Sequence, residues 1–270
     1  MTHSVTRQSA ADEVVSDTTA IGTEFHMLAP ARDAAPTLLL FALAGKDTLV
    51  TEPHCCVGRI LHRQGWNVVS LDLPCHGLDR RSGEPPEIVG WAARMAAGED
   101  IVASFRQRVN DILEDLVQAG VADPDRIAAA GTSRGGFMAF HAAAGNPCIR
   151  AVAAFSPVAN LLALTEFKGL QDNVVVRRSA LLNLVAPLAD RAAWVTMGNA
   201  DTRVDTDKTL AFVRALTVAA PKHDITLHLL PVPRHTSRPE WHESAAVWFQ
   251  QTFVTTSPSG KSAKPRKVPR

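Results

Sequence analysis

The chain divides first by its pattern of apolar and polar positions. Its first twenty or so residues are polar and aperiodic. Residues 255–270 are rich in Ser, Pro, Lys and Arg with almost no apolar content. Neither end can bury enough apolar surface to order itself, so 1–22 is predicted as a disordered arm and 255–270 as a disordered basic tail. Between them, 23–254 reads as a single domain. Residues 36–44 (PTLLLFALA) form a continuous apolar run, the signature of a strand covered on both faces. Further strands are predicted at 66–73, 126–130, 151–155, 192–197 and 224–230. Helices are predicted at 53–64, where Gly65 follows the end, at 100–118, at 135–144 and at 210–218. Over 100–118 the apolar residues Ile101, Val102, Phe105, Val109, Ile112, Leu113 and Leu116 recur at helical spacing. Ser237 and Glu240 read as a capping box opening a final helix. Strand–helix alternation of this kind predicts an α/β fold with a mostly parallel central sheet and helices on both faces. Working residues in such sheets lie beyond the carboxyl ends of the strands.

Composition narrows the function classes. Hydrophobic residues make up 46% and charged residues 20%, with a net charge of +1. No global field favours nucleic acid or an anionic membrane, and neither is expected as a partner. No run approaches the ~18 apolar residues needed to span a bilayer. The four cysteines, Cys55, Cys56, Cys75 and Cys148, do not form a disulfide framework. With no apolar leader visible, a cytoplasmic setting is the expectation. Cys55, Cys56 and Cys75 with His54 and His76 lack paired metal-ligand spacing, so no metal and no cofactor are expected. Tyrosine is absent altogether. That removes mechanisms needing a tyrosine acid, base or oxyanion donor.

The chemistry concentrates where the strand at 126–130 runs into Gly131-Thr132-Ser133-Arg134-Gly135 and then a helix. G-x-S-x-G alone is a weak pattern. Between strand and helix it marks a tight turn that presents a serine hydroxyl at a helix N-terminus, where negative charge is favoured. Ser133 is therefore the candidate nucleophile. The other reading is a glycine-rich phosphate loop, but the Lys-Ser/Thr ending and dinucleotide spacing are both missing. A serine needs a base to take its proton, and the partners are sought later in the chain. Asp201 is the first carboxylate after the strand at 192–197 and is the candidate acid, with Asp205 and Asp207 as fallbacks or helix caps. His235 follows the last strand on a loop and is the candidate base. His242 and His141 fall on helices, His228 in a strand and His76 on another loop. For the oxyanion, the backbone N–H of Arg134 is one expected donor, and Ala44 or Gly45 the other. Lys46 reads as a surface residue.

These motifs resemble the α/β-hydrolase superfamily, nearest its dienelactone-hydrolase and prolyl-oligopeptidase-like esterase branches. The residues that carry the resemblance are Asp72–Gly77, Asp123–Ile127 leading into Gly131–Gly136, Gly198–Asp201 with Val204, and Arg234-His235. It covers about 35–252. It implies the α/β-hydrolase fold and a Ser–Asp–His triad, and says little of substrate. Dienelactone hydrolases carry Cys where this chain has Ser133. The oligopeptidases add a propeller and a Tyr donor, and the chain has no Tyr and no length for a propeller. Leu43 and Ala44 replace the His-Gly pair of many relatives.

The expected activity is cleavage of a small-molecule carboxylic ester through an acyl-enzyme. A peptidase or amidase, an acyltransferase and a non-catalytic binding protein are the rivals. Residues 158–190, with Leu161–Leu164 and Leu181–Leu184, are predicted either as a small cap with an apolar acyl pocket or as extra packing helix.

Overall fold

The computed structural model describes residues 13–29 and 31–255. Eight strands form one sheet: β1 (Val14–Thr18), β2 (Glu24–Leu28), β3 (Ala35–Phe41), β4 (Asn67–Ser70), β5 (Ala122–Thr132), β6 (Ile149–Phe155), β7 (Ala192–Gly198) and β8 (Ile225–Leu230). Their order is β1-β2-β4-β3-β5-β6-β7-β8. The pairs β1–β2 and β2–β4 are antiparallel, and every other pair is parallel. This is the α/β-hydrolase fold.

Two apolar layers explain the continuous runs. Successive side chains of a strand point to opposite faces. Leu39 and Phe41 of β3, Ile127 and Ala129 of β5, and Val195 and Met197 of β7 enter one layer. Leu38, Leu40, Ala128, Ala130 and Trp194 enter the other. The first layer is closed by α3 (Glu87–Ala96), α4 (Ile101–Gln118), α5 (Arg134–Gly145) and α7 (Thr206–Ala219). The second is closed by α1 (Gly45–Val50), α2 (Cys56–Arg63) and α8 (Pro239–Thr255), with Trp66 packed on Phe249 and Phe253. Both faces of the sheet are thus buried, as an alternating β/α chain requires.

Four expectations need correction. Residues 14–18, assigned to a disordered arm, form edge strand β1. Residues 1–12, and the tail from 256 onward, lie outside the described residues. Strand β2 and helices α1 and α3 were not predicted. Ser237 does not cap α8, because its hydroxyl is 2.7 Å from the side chain of His242. Residues 158–190 hold single turns of 3₁₀ helix and the short α6 (Val174–Arg178). Their Leu161, Leu164, Val176 and Leu181 are buried in the first layer. The segment packs onto the core as short helical turns. No helix among the described residues is long and apolar enough to cross a membrane.

Buried bases set an acid limit on the fold, His141 among them. His141 of α5 lies edge-on to Phe137 at 4.5 Å, and its Nε2–H donates to the Ser179 carbonyl at 2.8 Å. Burial pulls its pKa from 6.5 down to about 4. The unfolded chain takes up a proton near pH 6.5 that the folded chain refuses until about 4. The stabilisation is complete above pH 6.5 and lost as pH falls towards 4, on the order of 3 kcal/mol. His141→Gln, which keeps a donor for Ser179, is expected to flatten the fall in urea-denaturation stability between pH 6.5 and 4. An unchanged slope would locate the acid sensitivity elsewhere.

Candidate active site

The site begins with glycines. Helix α5 passes so close to the sheet that a Cβ on Gly135 would collide with the carbonyl oxygen of Phe41, and one on Gly131 with the backbone of Gly135. The chain must therefore turn within one residue. Ser133 takes the turn at φ 55° and ψ −116°, a conformation costly for a side-chain-bearing residue. Its N–H donates to Phe155 O at 2.8 Å, and its carbonyl accepts from Phe137 and Val158, each at 3.1 Å. On the face of β5 turned to α5 stands the small Ala129, while Ala128 and Ala130 point into the other layer.

Two other strands deliver the partners. The loop after β7 places Asp201, which is buried at 1% exposure. Its Oδ1 accepts from the N–H groups of Arg203 and Val204 at 3.0 and 3.4 Å. The hydroxyl of Thr206 accepts from Asp201 N–H at 3.0 Å and donates to Gly198 O at 3.1 Å, closing the loop from beneath. The loop after β8 places His235. Its Nδ1 lies 2.7 Å from Asp201 Oδ2 and its Nε2 3.0 Å from Ser133 Oγ. A carboxylate can only accept, so Nδ1 carries the proton and Nε2 is left to receive one from the serine. The structure thus gathers Ser133, Asp201 and His235 at the carboxyl ends of β5, β7 and β8. Asp205 instead caps α7, accepting from Asp207 and Lys208 N–H. Asp207 lies in the first turn of that helix and is exposed.

The predicted oxyanion donors divide. Arg134 opens α5, so its N–H has no partner within the helix. Gly45 is withdrawn, because its N–H donates to Asp72 Oδ1 at 2.7 Å. Leu43 N–H is likewise taken by Thr48 Oγ1 at 2.9 Å. Ala44 N–H meets no acceptor among the described residues. Asp72 also accepts from Leu78 N–H at 2.7 Å, so it ties the loop after β3 to the loop after β4.

A cavity of about 450 Å³ opens at Ser133. Its walls include Leu43, Pro53, His54, Arg134, Arg203 and Ser237. None of its lining comes from 158–190, so the leucines there do not form an acyl pocket. From that segment Val158 N–H holds the Ser133 carbonyl, and Glu166 holds Arg203 with two bonds of 2.8 and 2.6 Å. Arg134 pairs with Glu87 at 2.7 Å. Burial first, and then the Arg134 guanidinium, hold the His54 and His76 imidazoles below the usual pKa. Arg203, Glu166, Glu87 and His54 were not predicted from sequence. Arg203, Glu166 and Glu87 depend on pairings between segments distant in the chain, and His54 on the packing of the loop before α2 against the cleft. A larger cavity of about 890 Å³ lies at the amino ends of β5–β8, the end of the sheet away from Ser133. No group of three or more His, Cys, Asp or Glu side chains among the described residues could hold a metal ion.

A family model for the prolyl oligopeptidase family matches residues 104–256, more than half the chain. The chain belongs to the prolyl oligopeptidase family. No curated protein matches it. Among solved structures it is similar to Porphyromonas gingivalis dipeptidyl peptidase 4, at 18% identity and TM-score 0.63 over 88% of this chain and 35% of that one. It is similar to Pyrococcus horikoshii acylaminoacyl peptidase, at 14% identity and TM-score 0.66 over 94% and 43%. A Klebsiella pneumoniae protein provisionally named a dienelactone hydrolase shares 16% identity and TM-score 0.56 over 90% and 98%. The chain therefore spans well under half the length of these two peptidases. At such identities the likeness is one of fold. This prolyl oligopeptidase family member carries the Ser133, His235 and Asp201 side chains in one hydrogen-bonded chain.

Two substitutions separate scaffold from chemistry in it. Gly135→Ala is expected to lower the Tm sharply or prevent folding, because the added methyl meets backbone on the facing strand. Asp205→Ala is expected to cost about 1 kcal/mol through loss of the helix cap, leaving the His235 ring resonances in NMR spectra unchanged. A displaced His235 signal in Asp205→Ala would tie Asp205 to the site.

Proposed function

We propose that the protein hydrolyses a carboxylic ester by two-step acyl transfer on Ser133. The observation that carries this is the hydrogen-bonded chain from Asp201 through His235 to Ser133, at 2.7 and 3.0 Å. In the first step His235 Nε2 takes the Ser133 proton as Oγ attacks the ester carbonyl. The carbonyl π pair moves to oxygen, and the oxyanion is met by the Arg134 N–H, with Ala44 N–H as the second donor. Collapse of the intermediate breaks the C–O bond. The imidazolium gives its proton to the departing alcohol, and an acyl-Ser133 ester remains. Water then repeats the sequence: His235 takes its proton, its oxygen bonds to the acyl carbon, and the carboxylic acid leaves as Ser133 Oγ regains the proton. Asp201 holds the imidazole in the required tautomer and stabilises its cationic form.

Cleavage of a peptide or other amide is the second reading, favoured by the family match and the peptidases of similar fold. It uses the same steps with an amine as leaving group. An ester asks less of the site, since an alcohol leaves more readily than an amine.

A fluorophosphonate probe is expected to label the wild type and not Ser133→Ala. No labelling of the wild type would end the proposal. Asp201→Asn is expected to lower kcat on a cleaved ester by about 10³–10⁴-fold. A panel of p-nitrophenyl esters, N-acetyl amino-acid methyl esters and the matching amides separates the two readings. Turnover of the amides at rates matching the esters would replace the first reading with the second.

A further inference from the structure

A second serine–histidine pair meets the same cleft through its serine. Ser237, two residues after His235, lines the cavity at Ser133. Its Oγ is 2.7 Å from His242 Nε2. His242 belongs to α8, is fully buried and lies flat on Phe155, with ring centroids 3.8 Å apart at 14°. Burial first, and then the nearby His54, push its pKa down to about 3, so the ring is neutral near pH 7. A neutral imidazole has one N–H and one bare nitrogen. The His242 Nδ1 is buried and has no partner among the described residues.

The two tautomers differ in what they leave unmet. With the proton on Nδ1, a buried N–H would go without an acceptor, which folded proteins rarely tolerate. With the proton on Nε2, the N–H donates to Ser237 Oγ and only a lone pair is unmet. In this second form Ser237 is the acceptor, and its own O–H is not spent on His242. That O–H meets no other acceptor among the described residues. The loop is also pinned one residue earlier, where Ser156 Oγ donates to Thr236 O at 2.7 Å. A fixed loop thus holds an uncommitted donor in the wall of the cleft.

We propose that Ser237 is a substrate-contacting residue whose hydroxyl, oriented by His242, donates a hydrogen bond to an acceptor oxygen outside the scissile group. The scissile carbonyl oxygen belongs to the Arg134 N–H at the start of α5, and Ser237 stands on the loop that carries the base. His242 is a positioning residue, acting only through Ser237. Substrates that carry a second carbonyl, such as an acylamino ester, fit this donor better than a simple ester. The proposal rests on the reading of Ser133 as nucleophile, and its test keeps the two apart.

Kinetics are read with N-acetylalanine methyl ester, which has a second carbonyl, and with phenyl acetate, which has none. Ser237→Ala is expected to lower kcat/KM for the first ester by about 2–12-fold, mainly through KM, the effect of one neutral hydrogen bond. Phenyl acetate kinetics, the Tm and the rate of fluorophosphonate labelling should stay at wild-type values. Ser237→Thr, which keeps a hydroxyl, should restore most of the loss. His242→Phe keeps a ring on Phe155 without the N–H and should reproduce it, while His242→Gln, which offers an N–H, should recover part. Equal effects of Ser237→Ala on both esters, or none on either while Ser133 still labels, would overturn the role of Ser237 alone. Absence of labelling in the wild type would overturn the nucleophile, and this proposal with it.

Discussion

Everything at the site follows from how closely α5 approaches the sheet. There is no room for a side chain at Gly131 or Gly135, and the residue between strand and helix must turn at φ 55°. Such a conformation costs on the order of 1–3 kcal/mol. Three backbone hydrogen bonds, to Phe155, Phe137 and Val158, offset that cost and fix the hydroxyl at the start of the helix. A serine on a relaxed loop would need ordering at every encounter with substrate. Here the ordering is done once, when the chain folds.

The acid and base need less of the backbone and more of their neighbours. Asp201 is held by three donors: the N–H groups of Arg203 and Val204 and the Nδ1–H of His235. Around them, charges occur in local pairs: Arg134 with Glu87 and Arg203 with Glu166. Burial and then Arg134 hold the His54 and His76 imidazoles below their usual pKa. The cleft wall therefore offers hydrogen-bonding groups without a large uncompensated charge, in keeping with a chain of net charge +1.

Most of the sheet was legible because the parallel strands β3, β4, β5, β6 and β7 are buried on both faces over most of their length, and a doubly buried strand writes itself as an unbroken apolar run, whereas β8 is only partly buried. The runs at 36–44 and 192–197 mark β3 and β7 within a few residues. Edge strand β1 left no such trace, since Val15 to Thr18 are exposed and their alternation is polar. Helix α1 spans only Gly45–Val50, too short for periodicity to show. Helix α3 follows two prolines and carries Gly90 within it. At the site, chain order and loop placement single out Ser133, Asp201 and His235 as candidates, and the structure brings these three side chains within hydrogen-bond distance. Gly45 shows the limit of that reasoning. Nothing local to it reveals that Asp72, far along the chain, takes its N–H. Ser237 shows the same limit, because a plausible capping pattern concealed its partner His242.

The Glu166–Arg203 pair joins the segment between β6 and β7 to the loop that holds Asp201. Arg203 bonds to Asp201 through its backbone and to Glu166 through its side chain, so one residue belongs to both groups of contacts. The stretch around Glu166 can accordingly diverge at its exposed positions, such as Leu182, without disturbing the carboxylate. A change at Glu166 itself would reach Asp201 through Arg203, so this bridge couples drift in a peripheral segment to the loop that holds the buried carboxylate.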